Sequence, residues 1–130
     1  MNITPSSQPL PQLVRVITQD TITRYAHASG DHNPLHVDPQ YAAGTRFGGT
    51  IAHGMLLLAY ISEMMTVAFG DRWLAGGRLK ARFRSPARPG DRVTVQGAVT
   101  ESAQGRTLCQ VECRNQAGDV LVSGEAEVPL

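Results

Sequence analysis

The chain reads as an α+β fold, with an antiparallel sheet of about five strands wrapped around one long central helix, and three observations lead there. The run from Ile51 to Phe69 carries apolar residues on nearly every helical face, so such a helix needs other structure around it. From Gly77 onward the pattern changes to alternation. Leu79, Ala81 and Phe83 interleave with Arg78, Lys80, Arg82 and Arg84; Val93, Val95 and Val99 follow, then Cys109, Val111 and Cys113, then Val120, Val122, Ala126 and Val128. Turn sequences at Pro89-Gly90-Asp91, Gln104-Gly105 and Ala117-Gly118-Asp119 separate these stretches. Four strands joined in this way predict an antiparallel meander, and one earlier strand completes the sheet. A sheet covered by helices is one of the few stable two-layer solutions.

The elements follow in order. Residues 1–12, rich in proline and serine, form a flexible N-terminal segment, and a single domain occupies 13–130. Leu13 to Ile17 can form a short strand. Thr18 then caps a helix that runs through about Ser29, with Asp20 in the first turn where the helix dipole favours an anion. Gly30 stops that helix and Asp31 opens a loop. Asn33-Pro34 reinforces the break, and Asp38-Pro39 gives a second N-cap followed by proline at the first helical position. Residues 31–37 are therefore expected to be a tight, non-helical segment pinned between two helices. A glycine-containing loop, Gly44 to Gly49, leads into the long helix from about Ala52 to Phe69.

Bulk properties narrow the function. At 130 residues the chain has room for one core and one site, not for a cofactor domain beside a substrate domain. A net charge of +1 gives no reason to expect nucleic acid or a membrane surface as partner. Cys109 and Cys113 fall on one face of a strand about 13 Å apart, too far for a disulfide, and no second Cys/His pair completes a zinc site. They read as small buried hydrophobes. The first residues have neither the basic region nor the apolar core of a secretory signal, which makes the cytoplasm the expected location. No phosphate loop or dinucleotide fingerprint occurs, so neither a redox cofactor nor a metal is expected.

The chemistry concentrates in two short motifs. Gly30-Asp31-His32-Asn33-Pro34-Leu35-His36 places an acid and an imidazole five residues apart, and Ala52-His53-Gly54-Met55 places a glycine where the long helix begins. A carboxylate and a histidine converging on one water supply the base and the acid that hydration of a polarised double bond needs. A backbone N–H at a helix start can hold negative charge on a carbonyl oxygen, and glycine lets substrate approach it closely. For Gly54 alone, a purely geometric role at the helix entry fits equally well. Asn33 orders the loop through its side-chain amide, Asp38 is a cap, and His53 shapes the helix start; His32 is given no role.

These two motifs, with Phe47-Gly48 between them and Phe83-Arg84-Ser85-Pro86-Ala87-Arg88-Pro89-Gly90-Asp91 after the helix, closely resemble the MaoC-like, (R)-specific enoyl-CoA hydratases of the hot-dog fold. The resemblance covers the chain from about Thr18 to its end. It implies that Asp31 and His36 form the catalytic pair for reversible hydration of a trans-2-enoyl thioester, with Gly54 as oxyanion donor. It also implies that Ser62, eight residues after Gly54, orients the catalytic pair from behind, although a helix serine bonding back to its own carbonyls is the alternative. The acyl thioester of coenzyme A or of an acyl carrier protein is the substrate, no further cofactor is implied, and a homodimer is. Arg78, Lys80, Arg82 and Arg84 form a basic stripe that can meet coenzyme A phosphates or an acidic carrier, or can simply be a solvated sheet face. A carrier-protein dehydratase, a hot-dog thioesterase and a non-catalytic acyl-binding subunit are the rival readings.

Overall fold

Local chemistry sets most of the boundaries. In the computed structural model, which describes residues 8–130, the elements are β1 (Gln8–Pro9), β2 (Leu13–Val16), α1 (Gln19–Ser29), α2 (Pro34–Val37), α3 (Pro39–Ala43), α4 (Gly54–Phe69), α5 (Asp71–Gly76), β3 (Arg78–Phe83), β4 (Arg92–Ala103), β5 (Arg106–Arg114) and β6 (Val120–Pro129). The Thr18 hydroxyl accepts the Thr21 N–H at the start of α1, and Gly30 ends that helix at φ 78°, where its N–H returns to Ala26 O. The glycines of the strand turns, Gly90, Gly105 and Gly118, all have positive φ, the region in which a side chain would be strained.

The sheet departs from the expected meander. Strands β4, β5 and β6 pair consecutively and antiparallel, but β3 pairs with β6, not with β4, giving the order β1-β4-β5-β6-β3 with β2 also on β4. The physical reason lies in the connection. Residues 84–91 include Pro86 and Pro89 and are too long and too proline-rich for a hairpin turn, so β3 crosses to the far edge of the sheet.

The N-terminal expectation also changes. Gln8 and Pro9 pair with Val99 and Ala98, and Leu10 is buried with its N–H on Gly97 O, so residues 8–10 lie on the sheet instead of forming part of a loose segment. For residues 1–7 the expected flexibility lies outside the described residues. Residues 31–37 are not wholly non-helical, because Pro34–Val37 makes one helical turn capped by the Asn33 side chain. Helix α5, which the sequence did not predict, begins after Gly70 turns the chain at φ 58°.

Helix α4 packs in the concavity of the sheet. Leu56, Leu57, Ile61, Met64 and Met65 are buried against Val95, Val111 and Leu121 in one core. It is not covered on every side, however: Met55 and Val67 are more than half exposed, as is Phe83 on the neighbouring strand. The two cysteines are free, buried on β5, and burial pushes the Cys109 thiol up to about 11 and that of Cys113 to about 12, which makes both inert thiols. No helix among the described residues is long and apolar enough to cross a membrane.

Candidate functional site

The Asp31 to His36 loop is assembled by its own side chains. Ser29 Oγ accepts the Asp31 N–H, Asp31 Oδ1 accepts the Asn33 N–H at 3.2 Å, and Asn33 Oδ1 accepts the Leu35 N–H at 3.0 Å. Short polar side chains that bond the backbone two residues on make compact turns of this kind. The consequence is orientation. With Oδ1 occupied, Asp31 presents Oδ2 to His36 Nε2 at 4.0 Å, and a single oxygen atom can sit within hydrogen-bond distance of both.

His36 is oriented from the other side. Its Nδ1 lies 2.8 Å from Ile51 O, and because a carbonyl only accepts, Nδ1 carries the hydrogen and Nε2 is left as a bare base facing the carboxylate. Gln19, in the first turn of α1, reinforces the arrangement by donating to His36 O at 2.9 Å while its own Oε1 accepts from Thr50. The side chain of His36 is mostly buried, whereas that of Asp31 is about half exposed.

Gly54 opens α4, so its N–H is one of the four that no carbonyl within the helix can accept. It lines a cavity of about 420 Å³ together with His36, Phe47, Met55, Phe83 and Ala87. A Cβ on Gly54 would stand 2.6 Å from Phe83 Cε1, so a side chain there would have to displace the Phe83 ring that packs on the helix start. The cavity is therefore mostly apolar, with an imidazole, a free backbone donor, Ser85 and two cations, Arg46 and Arg84, as its polar groups.

A family model described as "MaoC like domain" matches residues 2–120. The chain belongs to the MaoC-like family. It is 37% identical over 126 residues to an (R)-specific enoyl-CoA hydratase of Rhodospirillum rubrum, covering 89% of this chain and 81% of that one. It is 33% identical over 123 residues to a 3-hydroxybutyryl-CoA dehydratase of Methylorubrum extorquens, covering 91% and 76%. Among solved structures, an (R)-hydratase from A. caviae superposes with a TM-score of 0.82 at 30% identity, covering 98% of this chain and 99% of the other. The hot-dog fold expected from the motifs is the fold observed.

Within this MaoC-like domain the predicted residues separate into three groups. Asp31, Asn33, His36 and Gly54 come together as the motifs suggested. Ser62 does not join them: its Oγ accepts the Trp73 indole N–H at 2.9 Å, which ties α4 to α5. The corner at Gly70 turns the chain so that Trp73 of α5 meets Ser62. Asp38 is the double cap expected, accepting from Gln40 N and Tyr41 N.

The basic stripe is narrower than it reads in sequence. Arg78 stands opposite Glu127, which is itself paired with Arg106, and Lys80 opposite Glu125 across the β3–β6 pairing, so acids lie on the same face as this half of the stripe. Arg82 and Arg84 have no acid opposite them. Lys80, Arg82 and Arg84 line a second cavity of about 630 Å³ with Gln110, Glu112 and Glu125, and Arg84 is common to both cavities.

Sequence reasoning undervalued His53. Its side chain is buried, its ring stacks on that of His36 with centroids 3.9 Å apart and planes 27° apart, and its Nε2 lies 3.0 Å from Asp31 O. Burial is the leading influence on its pKa and holds it below the ordinary histidine value. The signal available was its place between Ala52 and Gly54 at the entry of a buried helix, which is a poor site for a solvated imidazole. Donor atoms of Asp31, His36 and His53 lie within 4.8 Å of one another, which raises the question of a metal. The geometry does not fit one. Metal–imidazole bonds lie in the ring plane at about 2.0–2.1 Å, and two rings stacked this nearly parallel cannot direct their lone pairs to one point at that distance.

Proposed function

We propose that this MaoC-like protein catalyses the reversible, (R)-specific hydration of a trans-2-enoyl-CoA to the (R)-3-hydroxyacyl-CoA. The observation that carries the reading is the Asp31 Oδ2 and His36 Nε2 pair, 4.0 Å apart beside a cavity whose wall includes the Gly54 helix start. Two acceptors on one water withdraw both of its hydrogens and aim its lone pair at Cβ. As the O–Cβ bond forms, one O–H bond breaks and its proton passes to the pair; the electron pair of the double bond moves toward the thioester carbonyl. Charge that develops on that oxygen is held by the Gly54 N–H, reinforced by the dipole of α4. Delivery of a proton from the same pair to Cα completes the addition and returns both groups to their starting state. The names of the relatives in R. rubrum and M. extorquens support the same substrate class in either direction. The water and side chains of the chain itself suffice for this reaction, without a further cofactor.

Three features support further parts of the reading. Arg46 and Arg84 at the cavity and Arg82 beyond it offer charges to the phosphates of the thioester carrier. Among the described residues strand β3 leaves one edge unpaired, and Met55 and Phe83 expose apolar surface there, which favours a homodimer in which the two sheets join. The cytoplasm supplies acyl thioesters of this kind and is the proposed location.

The test is direct. Purified protein is mixed with trans-2-enoyl-CoA esters of increasing chain length, and loss of the enoyl absorbance is followed with chiral identification of the product. Appearance of the (R)-3-hydroxy product supports the reading; no absorbance change at any length overturns it, and release of free thiol instead marks a thioesterase. A strong preference for the same acyl groups on carrier protein transfers the assignment to a carrier-protein dehydratase.

A further inference from the structure

We infer that His53 is a positioning residue that ties the backbone of Asp31 to the ring of His36, so that the carboxylate, the base and the adjacent Gly54 N–H move as one unit. The kinetic side of this inference rests on the hydration reading; its structural side does not. Three contacts carry it. His53 Nε2 donates to Asp31 O at 3.0 Å, one ring face supports the His36 imidazole at 3.9 Å, and the edge-on ring of Tyr25 closes the other approach at 4.9 Å.

The hydrogen positions follow from these partners. Asp31 O can only accept, so the neutral His53 ring carries its hydrogen on Nε2 and leaves Nδ1 as an acceptor. That Nδ1 is buried and has no hydrogen-bond partner. A phenylalanine or leucine would fill the same volume without stranding a polar atom, which costs stability. What only a histidine offers here is a flat face for His36 together with a donor for Asp31 O. Neutrality matters too, because a second positive charge 3.9 Å away would oppose the protonation that His36 undergoes in the reaction. Chain connectivity adds the last link: His53 is the N-cap residue of α4, so fixing its ring also fixes the helix start that presents Gly54.

The experiment uses the intact protein and three variants. His53→Gln keeps a donor at comparable reach but loses the flat face, His53→Phe keeps the face but loses the donor, and His53→Ala loses both. Expected is a fall in kcat of about 10²-fold for His53→Ala, the scale of a misplacement near 1 Å, with smaller losses in the other two. KM should be nearly unchanged, since His53 does not line the cavity. Wild-type kcat in all three variants, or a loss expressed only in KM, overturns the inference. Nitrogen-15 NMR of the histidines in the wild-type protein decides it even where a variant fails to fold. His53 should carry its hydrogen on Nε2 and should take up a second proton only at lower pH than an exposed histidine does. A His53 hydrogen on Nδ1, or titration like a solvated histidine, overturns it. Absence of hydratase activity in the wild type would remove the proposed function while leaving this NMR result to stand or fall separately.

Discussion

The two ends of one α4 segment, Gly54 at its start and Ser62 two turns on, illustrate how position along a helix becomes function. Both are expected at the site, Gly54 from its place at the helix start and Ser62 from the family resemblance. Gly54 is there because the helix start is where unpaired N–H groups exist, and because the Phe83 ring packs so close that any side chain would have to displace it. Ser62 is not, because its hydroxyl is taken by Trp73 across the α4–α5 corner. A shared helical face is a weak argument, whereas an unsatisfied backbone donor facing a cavity is a strong one.

Substitutions can break this contrast or sharpen it. The largest effect is expected where both ends of the argument converge. Asp31→Asn and His36→Gln should each lower turnover by about 10²-fold or more, with thermal melting unchanged, as judged by the enoyl absorbance assay beside circular dichroism. Full activity in either removes that residue from the chemistry. Gly54→Ala keeps the N–H but crowds the Phe83 ring, so turnover should fall by about an order of magnitude, short of the 10²–10³ that loss of an oxyanion donor costs. Since Phe83 is more than half exposed and its ring can swing, Gly54→Ala combined with Phe83→Ala should recover part of the loss. No recovery would mean that the alanine obstructs substrate itself.

Ser62→Ala tests the other end. It should leave turnover intact and cost about 1 kcal/mol of stability through the lost Trp73 bond, read as a fall of a few degrees in Tm. A drop in turnover comparable to that of Asp31→Asn would return Ser62 to the catalytic machinery. The smallest effect is a pH dependence. His53 has a folded pKa below its unfolded value of about 6.5, so at pH below that value the unfolded chain binds a proton that the folded chain refuses. Its contribution to stability is therefore complete above about pH 6.5 and is lost as the pH falls beneath it. His53→Phe should flatten the Tm profile in that window, and an unchanged profile would show that folding does not shift the pKa of His53.

Much of this could be read in the chain because it depends on neighbours a few residues apart. Thr18, Gly30 and Asp38 each act on backbone groups within four positions, and the glycine turns of the last three strands follow from φ values that only those residues adopt cheaply. The Asp31-Asn33-Leu35 relay is equally local. The exchange of β3 to the far side of β6 was not legible, since alternation specifies a strand and a face but not a partner. His53 escaped for the same reason: stacking on His36 depends on where the end of one loop meets the beginning of a helix.

The sequence by itself determined the fold class, the caps and the candidate residues Asp31, His36 and Gly54, because short-range hydrogen bonding and hydrophobic periodicity act along the chain. Only the tertiary structure decided that the acid and base face one another across 4.0 Å, that His53 joins them, that acids lie opposite Arg78 and Lys80 in the basic stripe, and that Ser62 serves a helix junction. Those outcomes depend on pairing and packing between segments that are remote in the chain, where the burial of α4 against the whole sheet, not any local preference, selects which side chains meet.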